Sequence, residues 1–124
     1  MFYLKLALAG GAGVVLRVLL QRFTIHMSWL SLPFGTLIAN ILGSFLIGFL
    51  VWSFTERWLV SQENQIIVLS GLLGGFTTFS AFSLDTIQML QSGQITKALL
   101  YLVASVALSV VACWIGLVMA KAAF

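Results

Sequence analysis

Charge is the scarcest commodity in this sequence: six Lys or Arg and three Asp or Glu amount to 7% of 124 residues. A soluble domain of that length carries roughly a quarter of its residues as charge to coat its surface, whereas surface that faces hydrocarbon needs none. With 61% hydrophobic residues and a mean hydropathy of +1.14, the solvent for most of this surface is lipid. Cysteine is almost as rare. Cys113 stands alone beside Trp114 in an apolar run, which excludes an intrachain disulfide and removes any need for an oxidising compartment. It reads as a small packing residue. His26 has no second histidine to share a metal with, and no acids cluster, so an enzyme is the least supported class. The net charge of +3 includes no basic cluster, which argues against a nucleic-acid partner. No small-residue cleavage pattern follows the first apolar run, so a removable signal peptide is not expected.

Apolar runs are what the chain has in abundance. A helix crossing a hydrocarbon core of about 30 Å needs about 20 mostly apolar residues. The sequence predicts an all-α integral membrane protein, a single domain over 1–124 with four spans at about 3–20, 33–54, 65–90 and 98–120. Pro33 suits a first helical turn, and Gln91-Ser92-Gly93-Gln94 makes a short polar turn between the last two spans. Trp29, Trp52 and Trp58 fall near span ends, as interfacial aromatics do.

Four spans place Lys5, Arg57 and Lys121 on one side of the bilayer and Arg17, Arg22 and Lys97 on the other. Orientation follows Lys/Arg asymmetry, and an even split gives none. Insertion in both orientations, or dual topology, is therefore expected, and it permits an antiparallel homodimer. Ala39-x3-Gly43, Ser44-x3-Gly48, Gly71-x3-Gly75 and Ala112-x3-Gly116 each set two small side chains one turn apart, which lets helix backbones approach closely in lipid. Four spans enclose little interior by themselves, so a pore forms more easily between subunits.

Polar groups at membrane depth are costly unless they face protein, water or a substrate, and so they point to function. Asn40, with Thr36 one turn before it, offers two amide donors that suit an anion and a carbonyl that can fix its own rotamer. An interhelical hydrogen bond is the blander use of the same side chain. In the third span, Gly74-Gly75 followed by Thr77-Thr78 is poor helix material, which predicts a break near Gly74 to Thr77 with carbonyls freed to bind a cation. The alternative is an intact helix with a glycine packing face. Phe79 and Phe82, three apart, share one face, and Ser80 and Ser83 share the adjacent one. Ring edges are electropositive and can contact an anion without burying an opposing charge. Tyr101, Ser105 and Ser109, spaced by four, align three hydroxyls that can replace an anion's water. Arg17 ends the first span, where it either snorkels to headgroups or sits at a pore mouth and gathers anions.

Gly35-Thr36-Leu37-x2-Asn40-x2-Gly43-x4-Gly48 and Gly74-Gly75-Phe76-Thr77-Thr78-Phe79-Ser80-Ala81-Phe82-Ser83 resemble the signatures of the Fluc/CrcB fluoride channel family. The length, the four spans, the first-span glycines leading to Arg17 and the Tyr101, Ser105, Ser109 stripe agree with the same resemblance. It implies an antiparallel homodimer in a cell inner membrane, with two fluoride pores and a structural Na+ on the dimer axis. It further implies that Phe79 and Phe82 are the aromatic fluoride contacts and Asn40 the pore-facing amide. Ser80 and Ser83 accompany the phenylalanines, Tyr101, Ser105 and Ser109 form the polar track, and Arg17 stands in the vestibule. Gly74 and Thr77 match the positions whose backbone carbonyls hold sodium. Two departures stand out: Asp85 replaces the usual glutamate, and Ala81 stands where threonine is often found.

The expected function is passive, fluoride-selective export from the cytoplasm. The alternative is a small multidrug-type exporter, which needs a membrane-embedded carboxylate to exchange protons, typically in the first span; here that span holds Arg17 and no acid. A non-transporting assembly subunit would leave the same polar groups as packing bonds only.

Overall fold

The computed structural model describes residues 1–26 and 32–124, so the expectation for Trp29 lies outside the described residues. Among the described residues six α-helical segments follow one another: α1 (Phe2–Phe23), α2 (Phe34–Trp52), α3 (Gln62–Ile66), α4 (Gly74–Phe76), α5 (Phe79–Gln91) and α6 (Ile95–Ala123). A 3-10 turn, Thr24–His26, ends the first. π-Helical turns at Ser53–Arg57 and Ile67–Leu73 extend α2 and join α3 to α4. These make four helical stretches long and apolar enough to cross a membrane: Phe2–His26, Phe34–Arg57, Gln62–Gln91 and Ile95–Ala123. Each runs a few residues past its apolar window, because helical hydrogen bonding continues to satisfy the backbone out to headgroup depth. Pro33 sits at the N-cap of α2, one place before the first helical residue.

Local signals set the ends. Ser61 caps α3 by accepting a hydrogen bond from the Asn64 N–H at 3.3 Å, and Thr78 caps α5 by accepting from the Ala81 N–H at 3.1 Å. The reversal after α5 needs a left-handed residue, and Gly93 supplies it with φ +81°.

In the third span the helical path stops at Phe76 and resumes at Phe79, with Thr77 (φ −87°, ψ 158°) and Thr78 (φ −154°, ψ 121°) extended between. Gly74 and Gly75 themselves are helical. Gly75 is needed for proximity instead: a Cβ there would collide with the Gly10 carbonyl of α1. The two threonines, stiff at χ1, take the extended backbone that suits β-branched residues.

That interruption changes the neighbours of the span. Its first half, the Ile67–Leu73 turn and α4, packs against α1, and its second half, α5, packs against α6. α2 touches both halves and lies along α6 in the most extensive contact of the fold. The α2–α6 crossing is backbone on backbone: a Cβ at Gly48 would strike the Cys113 carbonyl, and one at Gly116 would strike the Phe45 carbonyl. Leu37, Phe82, Met89, Ala98 and Tyr101 form the buried core between α2, α5 and α6. At one end, the Phe124 ring stacks on Trp52 at 6.4 Å and meets Trp58 edge-on at 5.7 Å. The Arg57 guanidinium lies over Phe124 at 5.5 Å, so the last residue is tied to the segment joining the second and third spans.

Candidate functional site

A groove of about 450 Å³ opens beside the extended residues, and α2, α5 and α6 carry most of its walls. Asn40, Phe79, Phe82, Ser105 and Ser109 all line it, together with Gly74 and Thr77. Residues far apart in sequence thus meet where Thr77 and Thr78 leave the helix.

Asn40 is the hinge pin of this region. Its Nδ2 donates to the Thr78 carbonyl at 3.0 Å and its Oδ1 accepts from the Thr78 N–H at 2.8 Å. One side chain therefore pairs both backbone groups of an extended residue at membrane depth, where each unpaired group costs several kcal/mol at most and about 1 to 3 kcal/mol in measured proteins. The interhelical bond and the fixed rotamer considered for Asn40 are both present, and one of its two N–H donors is left for the groove. Asn40→Leu strands the Thr78 N–H and C=O together. A drop in stability of about 2 to 4 kcal/mol is expected, read as a lowered thermal midpoint in detergent.

The two phenylalanines share a face but differ in surroundings. Their ring centroids lie 5.3 Å apart with a tilt of 58°. Phe82 is 5% exposed and packs its ring 5.3 Å from that of Tyr101, whereas Phe79 is 75% exposed at the open side of the groove. Ser105 and Ser109 present buried hydroxyls with no hydrogen-bond partner among the described residues. Serines in a membrane helix usually bond back to their own carbonyls; these two keep their donors free.

Other expected site residues fall elsewhere. Tyr101, fully buried, does not line the groove: its hydroxyl donates to Asp85 Oδ2 at 3.0 Å. The stripe of three hydroxyls is thus divided: Ser105 and Ser109 line the groove, and Tyr101 is committed to a carboxylate. Ser83 donates back to the Phe79 carbonyl at 2.9 Å, and the Ser80 hydroxyl pairs with that of Thr78 at 3.2 Å; neither lines the groove. Arg17 donates from Nε to the Gly75 carbonyl at 3.3 Å. Gly74 offers a main-chain oxygen only, Thr77 offers its carbonyl while its hydroxyl donates to the Leu73 carbonyl at 3.1 Å, and the described residues contain no cluster of three or more His, Cys, Asp or Glu for a metal.

Sequence reasoning overlooked two participants. Thr78 lines the groove, caps α5 and bonds Asn40. Gln21 donates to the Thr36 hydroxyl at 3.1 Å, and Thr36 lies beside Asp85 and Tyr101, so polar groups of α1, α2, α5 and α6 converge. The uncommon Thr-Thr pair was a usable signal for Thr78; Gln21 carries none, since a glutamine near a span end reads as interfacial.

Four helical stretches long and apolar enough to cross a membrane, with a groove lined by Asn40, Phe79, Phe82, Ser105 and Ser109 where the third span is interrupted, define a multi-pass membrane protein. The family model described as CrcB-like protein, Camphor Resistance (CrcB), matches residues 4–117. This chain belongs to the CrcB family. A protein named fluoride-specific ion channel FluC from Rhizobium meliloti is 45% identical over 123 residues, covering 98% of both chains. Proteins of the same name from Magnetococcus marinus and Geobacter sulfurreducens are 44% and 40% identical, over 93% and 95% of this chain and 94% and 95% of their own.

Proposed function

We propose that this protein is a fluoride-selective channel that lets the anion leave the cytoplasm passively across a cell inner membrane. The observation that carries the reading is the groove, where Asn40, the Phe79 and Phe82 rings and the free hydroxyls of Ser105 and Ser109 meet. A small anion gives up tightly held water only where donors replace it, and hydroxyls, an amide N–H and ring edges do so without a fixed positive charge that would trap it. Relatives of near-equal length bearing the name fluoride-specific ion channel support the same ion.

Fluoride enters cells as neutral HF, dissociates and is trapped as the anion, so a passive exit suffices. With about 100 mV negative inside, one expelled charge gains about 2.3 kcal/mol, and no coupling ion is needed. The multidrug-exporter alternative gains no support from the family match, and the acid it requires is missing from the first span.

The working unit in this proposal is an antiparallel homodimer with two pores and one Na+ on its axis. An open groove and the 75% exposure of Phe79 in a single copy support a second copy closing the path. The sodium reading fits the backbone. Gly74 has lost its helical acceptor role because the Thr78 N–H, four residues on, is taken by Asn40, and Thr77 is extended. Carbonyl oxygens suit a hard cation, and two from each copy would hold it. When bound, the ion would supply positive charge between the subunits and fix the extended segments.

Purified protein in proteoliposomes tests the proposal. Fluoride efflux well above empty vesicles, with chloride efflux at background, is the expected result; equal chloride flux would defeat the selectivity.

A further inference from the structure

α1 meets the third span at its interruption with no side chains between. A Cβ at Gly13 would collide with the Leu72 carbonyl and come within 2.8 Å of the Phe76 N–H nitrogen, and Gly75 meets Gly10 in the same way. Arg17 stands one turn beyond Gly13 on the same face of α1. This contact carries its guanidinium to the end of α4, where Nε donates to the Gly75 carbonyl at 3.3 Å. In a continuous helix that carbonyl would accept from the Phe79 N–H; Phe79 instead begins α5, beyond two extended threonines.

We infer that Arg17 is a positioning residue for Phe79, a charged clamp on the carbonyl end of α4 rather than a vestibule charge that gathers anions. The inference rests on the channel reading for what Phe79 does. The end of a helix is the negative pole of its dipole, and a guanidinium both pairs the freed carbonyl and complements that pole. Asn40 holds Thr78 from the α2 side, so Arg17 fixes the helical residue two places before the extended segment and Asn40 fixes the segment's last residue. Phe79 follows immediately, and its exposed ring takes its aim from how Thr77 and Thr78 are held. Removing the clamp frees a carbonyl at membrane depth, and the local backbone must move to find another donor.

The two roles for Arg17 differ in their response to salt. Attraction of anions over a distance is screened at molar ionic strength, where the Debye length is about 3 Å, while a direct hydrogen bond persists. The full-length protein, its Arg17→Gln and Arg17→Lys variants and an Arg22→Gln control are compared in proteoliposomes for fluoride efflux at low and at molar salt. Amide hydrogen exchange at Thr77 to Ser80 is followed in the same preparations. The clamp predicts that Arg17→Gln loses about tenfold in flux at both salt levels with faster exchange at Thr77 to Ser80. Arg17→Lys, which keeps a charged donor, recovers part of both losses, and Arg22→Gln matches the parent. A loss that disappears at molar salt with unchanged exchange overturns the clamp, as does unchanged flux with unchanged exchange. If Arg17→Gln does not assemble, the Arg17→Lys comparison at two salts decides by the same outcomes. Should the parent protein pass no fluoride, the channel reading fails, and the exchange difference still judges the clamp.

Discussion

Replacing Phe79 with isoleucine is expected to leave the fold intact and to cut fluoride flux by about tenfold or more, equivalent to the roughly 1.4 kcal/mol of a lost ring-edge contact. Phe79 is the cleaner of the two aromatic probes. Three quarters of its surface is exposed in one chain, so its ring contributes little to the packing of that chain. Phe82 is 5% exposed and sits in the core with Leu37, Met89, Ala98 and Tyr101, so Phe82→Ile confounds ion contact with lost burial. Parallel flux and thermal-melt measurements on both variants check the difference. Phe79→Ile lowers flux at an unchanged midpoint, and Phe82→Ile lowers both. An unchanged fluoride flux in Phe79→Ile would remove the aromatic contact from the mechanism.

The second large effect is on assembly. Gly48 and Gly116 face each other's helices across the α2–α6 crossing, each against a backbone carbonyl that cannot move aside as a side-chain tip can. Gly48→Val must push α6 away along the longest contact of the fold. Overpacking in a tight core costs about 1 to 3 kcal/mol, and forcing two backbones apart costs more than the upper end. Most of the folded protein is expected to be lost, measured as the recovery of a monodisperse peak in detergent. Gly11→Val, at a position with nothing within 4 Å of the added Cβ, is the matched control and should be recovered normally.

Much of this architecture was legible before any coordinates, and the reasons are physical. Scarce charge and four apolar runs leave one solvent and one secondary structure for the chain, because only a helix satisfies its own backbone in lipid over that length. The small-residue pairs also carried information: Gly48, Gly75 and Gly116 all lie at backbone contacts. What escaped was the allocation of hydrogen bonds. Tyr101, Ser105 and Ser109 are equivalent by helical periodicity, yet their partners depend on what α5 places opposite each one. Asp85 and the Phe82 ring face Tyr101, and open groove faces the serines. Periodicity gives the face of one helix and says nothing about the register of its neighbour. Asn40 was legible as a polar residue needing a partner, but that the partner would be both backbone groups of Thr78 follows only from how α2 passes the extended segment.

The exchange of neighbours within the third span has a mechanical consequence. Up to Phe76 the span is fastened to α1, and from Phe79 onward it is fastened to α6, with two extended residues as the only covalent joint. It is two short rods on separate mounts. A disturbance entering the first rod between Ile67 and Phe76 is borne by α1, one at the Gly93 turn is borne by α6, and α2, in contact with both rods, is the member that registers them together.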